Sequence, residues 1–535
     1  MFRTEPTPRP DELAERRLRR LAVALAALPA LALLAAELWT FGDLAGFPLD
    51  DPWIHLTFAR RLAAGDGLAY RAGELVAGST APLWTALLAL VVGLPGGAAG
   101  WTQLLGVALH VVALALGFRL ARRLGLSPRR AALATVLIGL ADGLVLAAPS
   151  GMEVALFGAL FAAGLLRHLD ERQDPSLPPL SFLAWGLAAL ARPEGLLLPL
   201  LAALDRCLVA DAGGWRVDAR RLRAALVGLA VSALVLVPVG ALFWVVSGSP
   251  LPTTLGAKTA GAPLFAPPLR DLAAMLGVLF AAQPLPTLLA AGGAIELARR
   301  RGGAGDRGLL LPLWTFAMPA ALAMLAGGGQ LLLGNFGRYL FPLLPCVVLL
   351  GLLALEPLRL AEARSGARAP GVRLPFLAAA VALALVAPPL VRTARAWGLF
   401  LAARGNVEAS DGRAAAWLRE HAAPDALVAT VDIGLLGWRL PNPLLDLGGI
   451  VNPERREWLE RPGAEGAAWP LAIAAWIEAR RPQYVVVFPR WLPLFERERE
   501  RFPARARFRI EGNVAMAGDE LVVYATPWTR EVTAP

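Results

Sequence analysis

The chain has 535 residues, 56% of them hydrophobic, a mean hydropathy of +0.55 and a formal net charge of +10. A soluble protein of this length would divide into several domains and be far less apolar, and the apolar residues here come in blocks of roughly 17–25, the length that crosses a hydrocarbon core of about 30 Å. The charge does not point to nucleic acid, because the arginines gather at the ends of apolar segments, as the positive-inside bias requires.

In chain order, residues 1–20 read as a cytoplasmic tail. Charged residues 11–20 lead into the apolar run Leu21–Trp39, which is too long for a signal-peptide core and shows no cleavage site. Arg16, Arg17, Arg19 and Arg20 put the start of this first span inside, and residues 41–100 become the first outer loop. Further spans are expected near 101–118, 131–148, 153–167, 180–191, 195–210, 224–246, 272–295, 308–326, 338–356 and 374–394, eleven in all with the first. The run Leu83–Leu94 is kept out as a re-entrant or interfacial helix, since another crossing would turn five basic loops outward. The membrane domain, 21–398, gives way at 399–535 to a mixed pattern. Strands are expected at Ala426–Val431, Tyr484–Phe488, Phe508–Ile510 and Leu521–Ala525, and helical stretches over 411–421, 470–480 and 493–501. The fold class is therefore an α-helical polytopic membrane protein with a C-terminal extracytoplasmic α/β domain. Cys207 and Cys346 form no CxxC pair and the four histidines no HExxH.

This sidedness brings five polar motifs to the outer face: Asp50-Asp51, Gly151-Met152-Glu153, Arg192-Pro193-Glu194-Gly195, Lys258-Thr259 and Gly337-Arg338-Tyr339. Ionisable groups at span ends either snorkel or serve a site, and five on one face favour a site. Asp51 precedes Pro52, and Ile54, Phe58 and Leu62 recur at helical spacing up to Gly65-Asp66-Gly67. An amphipathic helix on the membrane surface is expected, with Asp51 as its N-cap. Asp50 is then left without structural work and is the better candidate for a general base. Lys258 is the one lysine among 52 basic side chains, and a compact ammonium suits a phosphate approached as a point charge. Arg192 and Glu194 can pair with each other; alternatively Arg192 binds a phosphate and Glu194 orients it or a sugar hydroxyl. Arg338 and Tyr339 open a span, as interfacial anchors or as a cation and its neighbour for a leaving phosphate. Glu153 reads as the cap of its span. Trp53, Trp84 and His55 are candidates for sugar or lipid contact, against a background of interfacial tryptophan.

In order and sidedness these motifs resemble the polytopic GT-C glycosyltransferases, nearest to the mycobacterial terminal arabinofuranosyltransferases and related bacterial transferases that use polyprenyl-phosphate sugars. The resemblance is carried by Asp50-Asp51-Pro52-Trp53-Ile54, the stretch from Phe58 to Leu68, Gly73-Glu74, Gly78-Ser79-Thr80-Ala81-Pro82-Leu83-Trp84 and Ser150-Gly151-Met152-Glu153. It continues through Arg192-Pro193-Glu194-Gly195, Leu251-Pro252-Thr253-Thr254 with Ala257-Lys258, Gly337-Arg338-Tyr339-Leu340, Asp432-Ile433-Gly434 and Asp446-Leu447. It implies an inverting transferase in the bacterial plasma membrane, active on its outer face. The donor would be a polyprenyl-phosphate sugar and the acceptor a cell-envelope glycan, glycolipid or protein. An acidic residue of the first outer loop would be the base, matching Asp50 by position with Asp51 beside it. Arg192, Lys258 and Arg338 would hold the donor phosphate, and Glu194, Tyr339, His55, Glu74 and Trp84 would meet substrate. Pro52-Trp53 stands where the family has a small-aromatic pair, and Ala77 and Ala81 replace a Glu and an Asn. The sugar is therefore left open, and protein O-mannosyltransferases and aminoarabinose transferases share the architecture. Adjacent carboxylates and a phosphate can hold a divalent metal, but the sequence offers no full oxygen cage, so no obligatory metal is expected. The competing readings are a transporter or flippase of lipid-linked sugars, which calls for repeats and broken helices, and a non-catalytic envelope assembly protein.

Overall fold

The computed structural model describes residues 10–211, 214–254, 269–300, 307–325, 335–357, 373–452, 454 and 469–530. The N-terminal half runs α1 (Pro10–Phe41), α2 (Asp51–Ala63), α3 (Pro82–Ala89), α4 (Ala98–Arg123), α5 (Pro128–Gly139), α6 (Asp142–Ala147), α7 (Val154–Gln173), α8 (Leu180–Ala191), α9 (Leu197–Cys207) and α10 (Ala219–Ser247). Helix ends follow local chemistry. Ser127 and Asp218 cap α5 and α10 by accepting backbone N–H bonds, and α10 stops at Gly248 in the left-handed region.

Among the described residues, four helices are long and apolar enough to cross a bilayer: α1, α4, α10 and the helix over Phe336–Leu353. Leu269–Ala282 and Pro284–Arg299 make a fifth as a pair bent by 114°. Pro284 supplies the break, since it has no N–H and Gln283 before it is driven to an extended φ of −140°. The expected span 131–148 splits at Leu140-Ala141 into α5 and α6, whereas those expected at 180–191 and 195–210 appear as α8 and α9, separated at Arg192-Pro193 by a single 3-10 turn. The eight residues of α3 rise only about 12 Å, too short to cross, and α3 packs on α2 and α8.

The expectation of a surface helix fails at α2. Pro52–Ala59 are all buried. Trp53, Leu56 and Ala59 enter the core of the membrane bundle, whereas Ile54 and Phe58 enter the core of the C-terminal domain beside Val428, Ile433 and Leu436. The apolar stripe read as lipid-facing is covered by protein, and α2 is the seam between two cores. Phe58→Ala should therefore cost about 3–5 kcal/mol, read as a fall in the melting temperature of the purified protein.

The C-terminal domain is built on a five-stranded sheet with β5 (Val428–Thr430), β6 (Leu444–Asp446), β7 (Tyr484–Val487), β8 (Ala504–Arg509) and β9 (Glu520–Ala525) in the order β6-β5-β7-β9-β8. Before it come two hairpins, β1 (Ala69–Arg71) with β2 (Glu74–Leu75) and β3 (Leu208–Asp211) with β4 (Gly214–Val217). Strands β6, β5 and β7 are parallel, and β9 and β8 join them antiparallel. One face packs on Phe58 of α2 and Tyr70 of the β1–β2 hairpin; the other packs on Ile473, Trp476 and Ile477 of the helix Trp469–Arg480. Opposite this domain, the far ends of α7 and α9 are stitched by buried pairs, Arg206 with Glu171 at 2.9 Å and His168 with Asp205 at 3.0 Å.

Candidate active site

Asp50 and Asp51 lie where the loop from α1 turns into α2. Gly151, at φ +78°, meets this turn so closely that a Cβ would come within 2.6 Å of Phe47 and 2.8 Å of Pro52. Only glycine permits that approach, and it brings Glu153 alongside α2. Trp84 supports the contact: its buried indole donates to the Gly151 carbonyl at 2.9 Å. It is a buried strut between α3 and the Gly151 loop.

The two aspartates bond otherwise than the capping expectation has it. Asp51 is the first helical residue and the N-cap position falls on Asp50; the Asp51 carboxylate pairs with the guanidinium of Arg338. The reason is local. Pro52 has no N–H to cap, and the N–H of Trp53 is taken by the Asp50 carbonyl at 3.1 Å. The Asp50 carboxylate turns instead to the C-terminal domain, accepting from the N–H of Gly434 at 2.6 Å and of Leu435 at 2.7 Å. It caps the helix Gly434–Arg439.

Around Asp51 the charges form a continuous chain. Tyr339 lies between the guanidinium carbons of Arg338 and Arg192, 5.6 Å from each. Arg192 donates to Glu153 at 2.7 Å and to Glu194 at 2.5 Å. Glu153 stands at the N-cap position of α7 without capping it; Arg192 draws its side chain away, and its second oxygen is 3.9 Å from His55 Nε2. His55 Nδ1 lies 3.4 Å from Thr85 Oγ1. Asp51, His55, Glu153, Arg192, Glu194, Arg338 and Tyr339 therefore converge. Glu74 does not: it sits exposed on the β1–β2 hairpin, 3.6 Å from Arg71. Lys258 falls outside the described residues, though Thr253 and Thr254 just before it are drawn in. Thr253 Oγ1 donates to the carbonyls of Ala77 and Ile450, and Thr254 Oγ1 to that of Gly78. The arginines do not form an uncompensated cationic ring, because each already meets a carboxylate. One donor is unspent: Arg338 Nη1 is buried and has no hydrogen-bond partner among the described residues. Beside it, the Asp51 side chain is 32% exposed.

Behind Asp50 lies a group of acids. Asp411 is wholly buried, and neither of its oxygens has a hydrogen-bond partner among the described residues. Burial, with Asp432, Asp50 and Glu408 nearby, holds it well above the usual carboxylate range. Burial also raises Asp50 to about 7 against the pull of its two amide bonds, with Asp51 and Asp446 adding to the rise. Asp432 is raised to about 8 by burial, then by Asp50, Asp51 and Asp446. Burial also raises Asp446, against the pull of the N–H groups of Val451 and Gly448 that bond its carboxylate. These carboxyls are harder to ionise in the fold than in the unfolded chain, where they titrate near 3.8. Their contribution to stability is complete below that value and is lost as pH rises through about 7 to 8. Resistance of the C-terminal domain to proteolysis should fall across this window, and Asp411→Asn should flatten the fall.

An apolar groove of about 470 Å³ opens between α8 and α10 beside Pro193, walled by Leu190, Leu196, Val237, Phe243 and Trp244. Among the described residues no three His, Cys, Asp or Glu side chains are arranged to hold a metal ion.

Residues 401–524 match a family described as Domain of unknown function (DUF8728). No curated protein matches the sequence. The fold is similar to the Archaeoglobus fulgidus oligosaccharyltransferase, both tethered to an acceptor peptide containing the NVT sequon (TM-score 0.60, 16% identity, 88% of this chain and 68% of that one) and in its apo form (0.60, 16%, 96% and 75%). It is also similar to ArnT from Cupriavidus metallidurans bound to undecaprenyl phosphate (TM-score 0.56, 17% identity, 94% of this chain and 97% of that one). These likenesses lend no support to arabinofuranose in particular. What they establish is architecture: the chain is a multi-pass membrane protein with a GT-C-like fold and a C-terminal mixed-sheet domain.

Proposed function

We propose that this chain is an inverting glycosyltransferase that moves a sugar from a polyprenyl-phosphate donor to a hydroxyl of a cell-envelope glycan, glycolipid or protein on the outer face of the plasma membrane. The observation that carries the reading is the pairing of a partly exposed carboxylate, Asp51, with a buried guanidinium, Arg338, that keeps one donor unspent. The acceptor hydroxyl attacks the anomeric carbon and gives its proton to Asp51. The bond from that carbon to the phosphate oxygen breaks on the opposite face, and Arg338 Nη1 takes the oxyanion as it leaves. Tyr339 and the Glu153–Arg192–Glu194 group fix the position of Arg338 and border the sugar. The groove beside Pro193 suits the polyprenyl chain, because it is apolar and opens next to the charged group. Asp50, with both oxygens committed to Gly434 and Leu435, is better suited to holding the C-terminal domain than to taking a proton. A lipid-linked donor and a peptide or other polymeric acceptor accord with what the ArnT and oligosaccharyltransferase structures contain.

The sharp bend at Gln283-Pro284 is a feature that would suit a transporter. No ionisable residue lies between Leu279 and Thr287, so the bend offers no binding group for a charged substrate. A panel of polyprenyl-phosphate sugars incubated with the purified protein tests the choice. Release of polyprenyl phosphate from one donor class is expected; movement of donor across a vesicle membrane without release would support the transporter.

A further inference from the structure

At the end of the bundle opposite Asp51 there is a polar cavity. The 32 residues of α1 rise about 48 Å; the Asp50 turn follows their C-terminal end, and the cavity lies at their start. It holds about 530 Å³ and is lined by five arginines, Arg16 and Arg19 from α1 and Arg119, Arg122 and Arg123 from α4, with Glu12, Glu15 and Asp170. Two of the arginines are committed. Arg122 donates to both oxygens of Glu15 at 2.9 and 3.0 Å, and Arg123 donates to Asp170 at 2.6 Å. Among the described residues Arg16, Arg19 and Arg119 make no ion pair or hydrogen bond, and Glu12 is the only lining acid left to oppose them. The inner wall is apolar, formed by Phe118 and Leu166, and the apolar stretch of α1 begins at Leu21. The cavity is thus set where a bilayer carries its phosphates, with charge on one side and hydrocarbon on the other.

We propose that this cavity binds the phosphodiester headgroup of an anionic glycerophospholipid, with Arg16, Arg19 and Arg119 as its ligands and the acyl chains against α4 and α7. Three guanidiniums from two helices converge on one volume, which suits a phosphate rather than independent snorkelling, and basic pockets between membrane helices bind such headgroups. The site is independent of the transfer chemistry.

The full-length protein is reconstituted in mixed phosphatidylglycerol and phosphatidylcholine, and the retained lipids are counted by native mass spectrometry. Phosphatidylglycerol should be retained over phosphatidylcholine by about tenfold or more. Arg16→Gln/Arg19→Gln/Arg119→Gln should bring the preference to within about twofold, and Arg119→Gln alone, at an exposed position, should lower it at least about threefold. A control of equal charge, Arg129→Gln/Arg220→Gln/Arg223→Gln, should keep the preference. Equal retention of the two lipids, or equal loss in the control, would overturn the proposal. So would displacement of the lipid by inorganic phosphate, which would assign the cavity to a free anion.

Discussion

Asp51→Asn is expected to lower the rate of sugar transfer by about 10²- to 10⁴-fold, the usual contribution of a positioned general base. The same substitution should leave donor affinity intact or tighter, because it releases the guanidinium of Arg338 from its ion pair. Turnover and KM would therefore separate, which a merely folding-related defect does not produce. Asp50→Asn is the necessary comparison. An asparagine still offers a carbonyl oxygen to the N–H groups of Gly434 and Leu435, so stability should fall by about 1 kcal/mol and transfer should survive. The opposite outcome, a dead Asp50→Asn and an active Asp51→Asn, would return the base to Asp50.

The second large effect is expected at Gly434. Added there, a Cβ would fall inside contact distance of the Asp50 carbonyl and carboxylate oxygens. In an isolated helix alanine is favoured over glycine by up to about 1 kcal/mol. Any loss in Gly434→Ala therefore comes from the contact, and overpacking of this kind costs about 1–3 kcal/mol. The C-terminal domain should become protease-sensitive at lower temperature than in the parent protein. Transfer should fall with it, because the backbone of Asp50 sets where Asp51 begins α2. Tyr70 and Arg60 reinforce the same joint, Tyr70 donating to the Ile433 carbonyl and Arg60 stacking on Trp438 at 4.4 Å. An unchanged proteolysis profile would show that the domain is held elsewhere.

Much of the fold was legible because apolar blocks and short β-rich runs are local signals. The strands at β5, β7 and β9 are near-continuous apolar runs and read directly. Strand β6 did not, since three residues after Pro443 are too few to show a period, and β8 hides its beginning under alternating arginines at an exposed edge. In α2, Ile54 and Phe58 gave the correct helix and the wrong environment: periodicity shows an apolar face but not whether lipid or protein covers it. At the site, Arg192, Glu194, Arg338 and Tyr339 stood out as charges and an aromatic breaking apolar sequence, and they do meet. The capping work of Asp50 was not legible because its cause, the amides of Gly434 and Leu435, lies more than 380 residues away along the chain. Glu153 was read as a cap for the same reason, with Arg192 supplying the stronger partner from the break after α8. Asp411 gave no sequence signal at all, since an acid in a helical stretch ordinarily faces water.

The central claim is a single displacement in which Asp51 takes a proton and never bonds to the sugar. It is tested most directly by the anomeric configuration of the product formed from a polyprenyl-phosphate sugar of known configuration, determined by NMR. The account predicts inversion, and no product from the Asp51→Asn protein. A product of retained configuration, or transfer that persists without the Asp51 carboxylate, would contradict it.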